Sequence, residues 1–150
     1  MAHRNALTHL AAILALLLSA QALAEEPEVI GKVKTVKADA YIVRAGDDIP
    51  AQKSQNLHTG DTLKTGETGA LGVTLRDGTM LTIGPSSKFQ IKEYLFKPLE
   101  KKTSLITYMS KGTASYVSGA IAKMNPDSVK IKTPSAYLGL RGTKVLIEVD

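Results

Sequence analysis

The sequence predicts an all-β domain, and three observations carry that prediction. Apolar and polar residues alternate through most of the chain from Ile30 onward. Glycines interrupt its central part at 60, 66, 69, 72, 78 and 84. The runs between them are too short for helices. Alternation is the period-2 mark of a half-buried strand, and dense Gly, Pro and Asp punctuation marks tight turns. About ten short strands at this spacing predict a single domain, either a sandwich or an irregular β-solenoid or jelly-roll-like arrangement.

The clearest element is the hairpin around Asp77-Gly78. A two-residue loop there would pair Val73 with Thr82 and Leu75 with Met80, splitting Leu81 and Ile83 from the other apolar residues. A three-residue loop, Arg76-Asp77-Gly78, pairs Leu71 with Ile83, Val73 with Leu81 and Leu75 with Thr79. Every strong apolar residue then shares one face, and Gly78 takes the position that needs positive φ. The three-residue loop is the expectation; the two-residue turn with Met80 inward is the alternative.

The N-terminus sets the compartment. His3 and Arg4 precede a Leu/Ala/Ile run from Leu10, and Ala22-Leu23-Ala24 has the small-x-small form of a cleavage site. This order predicts a signal peptide over residues 1–24, a polar lead-in over 25–30 and a β domain over 31–149. Leu10 to Ala20 is short for a spanning helix, so no transmembrane segment is expected after cleavage, although an uncleaved anchor is the alternative. Residues 25–150 carry 18 Lys and Arg against 14 Asp and Glu, net +4. The lysines are scattered, so nucleic acid is not an expected partner, whereas an anionic envelope polysaccharide is a possible one. With no Cys there is no disulfide, thiolate metal site or cysteine nucleophile.

Taken in order, Ile30–Val36 and Ala40–Arg44 read as strands, 45–48 as a turn and Ile49-Pro50-Ala51 as an edge piece. Asp47 and Asp48 suit a turn better than a calcium loop, which needs more oxygen ligands at set spacing. Gly60-Asp61 is a turn before a strand at Thr62–Thr65, and Pro85-Ser86-Ser87 is another. Phe89–Phe96 alternates until Glu93, where a bulge or strand end is expected. Lys97–Ser104 reads as the most mobile loop. Leu105–Met109 and Ala114–Val117 read as strands joined by a turn at 110–113. Ser118–Asn125 is ambiguous, with one helical turn possible before Pro126. Val129–Thr133 and Lys144–Val149 complete the strands.

No catalytic constellation emerges, and the chain is expected not to be an enzyme. His58 is the one histidine after residue 24 and reads as a turn residue rather than a base. Neither a Gly-x-Ser-x-Gly elbow nor a Ser-x-x-Lys pair is present. Gly66, Gly69 and Gly72 precede no helix and read as turn glycines, not a phosphate loop. Asp61, Asp77 and Glu93 would make a glycosidase dyad only if two of them converged. No cofactor or metal is expected. Arg141, between Leu140 and Gly142, is expected to tie a turn to Asp61 or a neighbouring acid, with a ligand-binding role as the alternative.

Gly60-Asp61-Thr62-Leu63-Lys64-Thr65-Gly66, Gly69-Ala70, Leu75-Arg76-Asp77-Gly78-Thr79, Pro85-Ser86-Ser87, Thr133-Pro134-Ser135-Ala136 and Leu140-Arg141-Gly142-Thr143 resemble the FecR domain family in order and spacing, over about Gly31 to Val149. The resemblance implies an extracytoplasmic, all-β, non-enzymatic domain. In the regulators that name the family, it senses a TonB-dependent outer-membrane receptor and relays to a sigma factor. Those regulators carry a sigma-binding domain and a membrane helix ahead of this domain. Only Met1 to His9 precede the apolar run here, so a stand-alone secreted module is expected and sigma-factor control is not. The motif residues Gly60, Asp61, Gly66, Asp77, Gly78, Thr133, Pro134, Arg141, Gly142 and Thr143 are expected to be architectural. Two functions remain open. A periplasmic adaptor would bind an envelope protein through an apolar patch or open strand edge. A carbohydrate-binding or scaffolding module would use a groove of Lys and Tyr drawn from Tyr41, Tyr94, Tyr108, Tyr116 and Tyr137.

Overall fold

The computed structural model describes residues 24–142 and 144–150. The expected signal peptide, apart from Ala24, and Thr143 lie outside the described residues. Twelve strands follow one another: β1 (Val29–Lys37), β2 (Ala40–Arg44), β3 (Asp47–Pro50), β4 (Asn56–His58), β5 (Thr62–Thr65), β6 (Ala70–Leu75), β7 (Met80–Ile83), β8 (Lys88–Lys97), β9 (Lys102–Val117), β10 (Val129–Lys132), β11 (Tyr137–Gly139) and β12 (Lys144–Val149). One short helix, α1 (Ala120–Met124), lies between β9 and β10.

All twelve strands form one curled sheet. Its first half runs β4-β1-β6-β7-β9-β12 and its second β3-β2-β5-β8-β9-β10-β11; β9 belongs to both. Neighbours are antiparallel except β9 and β10, which run parallel with α1 in their crossover. Inward residues from both halves meet in one buried cluster. Val33, Leu71, Leu81 and Ile83 come from the first half, and Ile42, Leu63, Phe89 and Ile91 from the second.

The hairpin of β6 and β7 takes the three-residue loop. Leu71 faces Ile83 and Val73 faces Leu81, and Leu75 N–H donates to Thr79 O at 2.8 Å. Gly78 sits at φ +84, where a side chain would be strained. The bulge in β8 also falls where alternation fails, between Ile91 and Glu93. It turns Tyr94 inward and Glu93 outward, restoring an apolar inner face.

Several expectations are corrected. The turn at 110–113 does not form; β9 is one continuous strand of 16 residues. Gly112, at φ +91, bends it instead, so that its start pairs in the second half and its end in the first. Residues 97–104 are not a long loop: a 3₁₀ turn at Pro98–Glu100 and left-handed Lys101 reverse the chain at once. Asp47 and Asp48 are not turn residues but the start of β3; the turn is Ala45-Gly46 alone, both at positive φ, the form that matches strand twist. His58 ends β4 and opens the turn to Asp61, whose N–H donates to His58 O at 3.2 Å. Gly72 lies within β6, where a Cβ would come 2.3 Å from Thr35 Oγ1; it is a packing glycine, not a turn glycine. The ambiguous 118–125 segment resolves as α1, stopped ahead of Pro126.

The register separates two neighbours sharply. Leu81 is 1% exposed and Met80 47%. Leu81→Ala is expected to cost about 2–5 kcal/mol in urea denaturation, and Met80→Ala no more than about 0.5 kcal/mol. Equal losses at the two positions would mean the wrong hairpin register.

Candidate functional site

The described motif residues fall in two buried polar nodes, the loop between β10 and β11, and one exposed groove, and an open strand edge lies beyond them. The first node is Asp61, 1% exposed. Arg44 at the end of β2 forks onto it, with Nε donating to Oδ1 at 2.8 Å and Nη2 to Oδ2 at 2.7 Å. The backbone N–H of His58 donates to Oδ2 at 2.8 Å, and Arg44 Nη2 also reaches Asn56 O at 3.0 Å. The carboxylate therefore closes the 58–61 turn and fastens it to β2. The hydrogen bond to Asp61 is the main reason the Arg44 guanidinium lies above its ordinary pKa. Gly60 reverses the chain at φ +93, and its N–H donates to Ile91 O at 2.7 Å. Gly66 approaches Asp39 so closely that a Cβ would fall 2.9 Å from the Asp39 Cβ.

The second node is Asp77, also buried. Its Oδ2 accepts from Thr79 Oγ1 at 2.7 Å and from Ile121 N–H at 3.2 Å; its Oδ1 accepts from the Tyr94 hydroxyl at 3.2 Å. Its carbonyl accepts from Ala120 N–H at 2.7 Å, so one loop aspartate satisfies two donors in the first turn of α1. Gly119 is needed for the approach: a Cβ there would lie 2.3 Å from Thr79 N. Burial, and then the Asp77 charge, push the Tyr94 hydroxyl well above the ordinary tyrosine range; burial also raises Tyr116. Both tyrosines belong to the core and neither is available to a ligand.

Thr133 and Pro134 are the first two residues of the four-residue loop between β10 and β11. Thr133 Oγ1 accepts from Ala136 N–H at 3.0 Å, and Thr133 N–H donates to Ala136 O at 2.9 Å. Arg141 does not reach Asp61, because Arg44 already occupies both carboxylate oxygens. It is 85% exposed at the side chain and 3.8 Å from an equally open Asp127. It borders an open groove of about 480 Å³ with Lys123, Asp127 and Leu140. Gly142, at φ +153, accepts a hydrogen bond from Ser118 Oγ. Asp61, Asp77 and Glu93 do not converge: the first two are engaged in separate nodes and Glu93 is on the surface. Among the described residues no group of three or more His, Asp or Glu is placed to hold a metal.

The open edge is β12. Its six residues pair with β9 on one side, and among the described residues nothing pairs with the other. The remaining edges are blunted: β3 carries Pro50 and two aspartates, and β4 and β11 are three residues each. β12 has no Pro and no bulge. Leu146, 75% exposed, stands outward in a row with Ser115 and Thr82; Met80 and Val117 continue the apolar surface beside it. An open groove of about 430 Å³ runs between Thr82, Ser115 and Leu146.

The family described as FecR protein matches residues 61–150. The chain belongs to the FecR family. The match covers β5 to β12, hence the Asp77 node, the Arg141 groove and the open edge; of the first node it takes in Asp61 but not Arg44 or His58, and it starts at Asp61 rather than at Gly31. Membership suggests a signalling-related domain. No curated protein and no solved structure matches the chain. Sequence reasoning missed Arg44, whose one local signal was its position at a strand end beside a turn. It also missed the openness of β12, for which no local signal exists.

The Asp61 node gives a direct contrast. Arg44→Ala leaves a buried carboxylate without its countercharge and is expected to cost roughly 3 kcal/mol in urea denaturation, with Arg44→Lys recovering only part because it lacks the fork. Arg141→Ala is expected to change stability by no more than about 0.5 kcal/mol. The reverse ranking would restore Arg141 as the structural arginine.

A second expectation concerns alkaline pH. Tyr94 and Tyr116 hold their protons more tightly when folded than the ~10 of an unfolded tyrosine. Their contribution is complete below pH ~10 and is lost as pH rises beyond it, because the unfolded chain then releases protons that the folded one retains. Stability should fall with pH in that window, and Tyr94→Phe should make the fall shallower whatever its effect at neutral pH. An unchanged slope in chemical denaturation between pH 9 and 11 would contradict the assignment.

Proposed function

We propose that this FecR-family chain is a non-enzymatic interaction module of envelope signalling that takes an extended segment of an envelope protein as an added strand on β12. In this reading residues 1–24 are a cleaved signal peptide, the domain over 31–149 works in the periplasm, and its role is sensing or adaptor rather than sigma-factor control. No helix among the described residues is long and apolar enough to cross a membrane. The observation that carries the reading is the six-residue β12 edge, without Pro or bulge, with Leu146 75% exposed between Lys144 and Glu148. Such an edge offers a row of main-chain donors and acceptors for affinity, and the apolar surface beside it reads alternate side chains of the incoming strand. A partner segment with apolar residues at every second position fits it.

A photo-crosslinker at position 146 in intact cells identifies the neighbour, and the purified neighbour is then titrated onto the purified chain. Its binding is expected to protect β12 amides from hydrogen exchange, and Leu146→Lys to weaken it about tenfold or more while leaving the fold intact. Binding that leaves β12 exchange and the Leu146→Lys affinity unchanged would sink the proposal. Capture of residues 1–23 of the chain's own sequence would make the edge an internal docking site instead.

A further inference from the structure

The outer face of the second half-sheet has a character that neither folding nor the β12 edge accounts for. The pairing register lays two rows of side chains across it. One row is Tyr41, Lys64, Lys88 and Lys111, on β2, β5, β8 and β9. The other is Thr62, Gln90, Tyr108, Lys132 and Tyr137, on β5, β8, β9, β10 and β11. Five strands at ~4.8 Å spacing make the second row about 19 Å long. Lys92 and Lys130 flank it. Among the described residues the Lys–Tyr cation–π contacts all lie here: Lys64 over Tyr41 at 5.9 Å, Lys92 over Tyr108 at 5.3 Å, and Lys130 and Lys132 over Tyr137 at 5.8 and 5.1 Å.

The charge on this face is one-sided. Six lysines stand against two acids, Asp48, which is already bound to Lys64, and Glu93. Lys88 faces a lysine on both sides, Lys64 in β5 and Lys111 in β9. Like charges directly opposite one another on a sheet destabilise it, so this arrangement works against the fold. Edge protection does not explain it either, because β5, β8 and β9 are interior strands. A bound polyanion relieves the repulsion.

We propose that this face binds an anionic polysaccharide, with the lysines pairing its carboxylates or sulfates and Tyr108, Tyr137, Gln90 and Thr62 contacting its rings and hydroxyls. Thr62, Lys88, Gln90, Tyr108 and Ser110 line an open depression of about 330 Å³ on this face, shallow enough for a chain that lies across the strands. Other polyanions fit less well. Among the described residues Tyr137 is the one large apolar side chain of this face that is exposed, so little is present to enter a bilayer. The cations are all lysines, without the planar fork that suits phosphate.

The test is titration of the purified protein with polygalacturonate and chondroitin sulfate, beside neutral dextran, an oligo(dT) strand and anionic phospholipid vesicles. Binding to at least one anionic polysaccharide, absent for dextran, is expected. The double variant Lys88→Gln/Lys132→Gln should weaken it about tenfold or more and flatten the dependence of log K on log salt, since fewer counterions are exchanged. Tyr137→Ala should weaken it with the salt slope unchanged. Lys32→Gln/Lys34→Gln, on β1 in the other half of the sheet, and Leu146→Lys should leave it as it is, which separates this site from the β12 edge. The proposal is overturned if neither polysaccharide binds, if the β1 variants cost as much as those on the face, or if oligo(dT) or vesicles bind more tightly than both polysaccharides.

Discussion

One bend holds this fold together. β9 serves both halves of the sheet only because Gly112 turns it between them, and the turn is fixed by Ser87. The Ser87 hydroxyl, fully buried, accepts from Thr113 N–H at 2.9 Å and donates to Pro85 O at 2.8 Å. Its backbone N–H donates to Thr65 Oγ1 at 3.0 Å, and Thr65 Oγ1 in turn donates to Gly84 O at 2.6 Å. The segment Gly84-Pro85-Ser86-Ser87 carries the chain from β7 in one half to β8 in the other, at the place where β9 crosses back. Two crossings thus share one hydrogen-bonded corner. A Cβ at Gly112 would come 2.1 Å from Ser87 Oγ, so the bend requires both its positive φ and the missing side chain.

The buried carboxylates extend the same logic to the turns. Asp61 and Asp77 each sit where a reversal leaves backbone N–H groups facing inward, and each satisfies donors that water cannot reach. This gives the Gly-, Asp- and Thr-rich motif an architectural use. Asp61, Asp77 and Thr79 are consumed in closing turns, whereas Glu93 and Arg141 stay on the surface.

Much of this was legible in the sequence because burial enforces parity. The β6–β7 register followed from requiring Leu71, Val73, Leu81 and Ile83 to share a face, and the β8 bulge from the failure of alternation at Glu93. What failed was local punctuation. Ser110-Lys111-Gly112-Thr113 has the composition of a turn, but tertiary pairing with β7 and β12 outweighs it and uses the glycine for a bend. Arg141 and Arg44 show the same limit in the sites. Arg141 was the one expected at Asp61, and only the pairing of β2 with β5 brings Arg44 there instead. The alternating lysines were visible as such, yet their accumulation on one face depended on the strand order, which no single strand encodes.

The edge and the lysine face answer to different forces. Strand addition at β12 rests on main-chain hydrogen bonds and burial of Leu146, terms that salt hardly alters. The lysine face rests on charge, which screening weakens within a Debye length of about 8 Å at physiological ionic strength. The two surfaces also lie on either side of the Gly112 bend, with Tyr108 in the first part of β9 and Ser115 and Val117 in the second. A partner strand and a polyanion would therefore contact different stretches of β9, and neither would cover the other's side chains. A FecR-family module built this way suits holding a protein close to an anionic polymer, with ionic strength setting the polymer's occupancy and not the protein's.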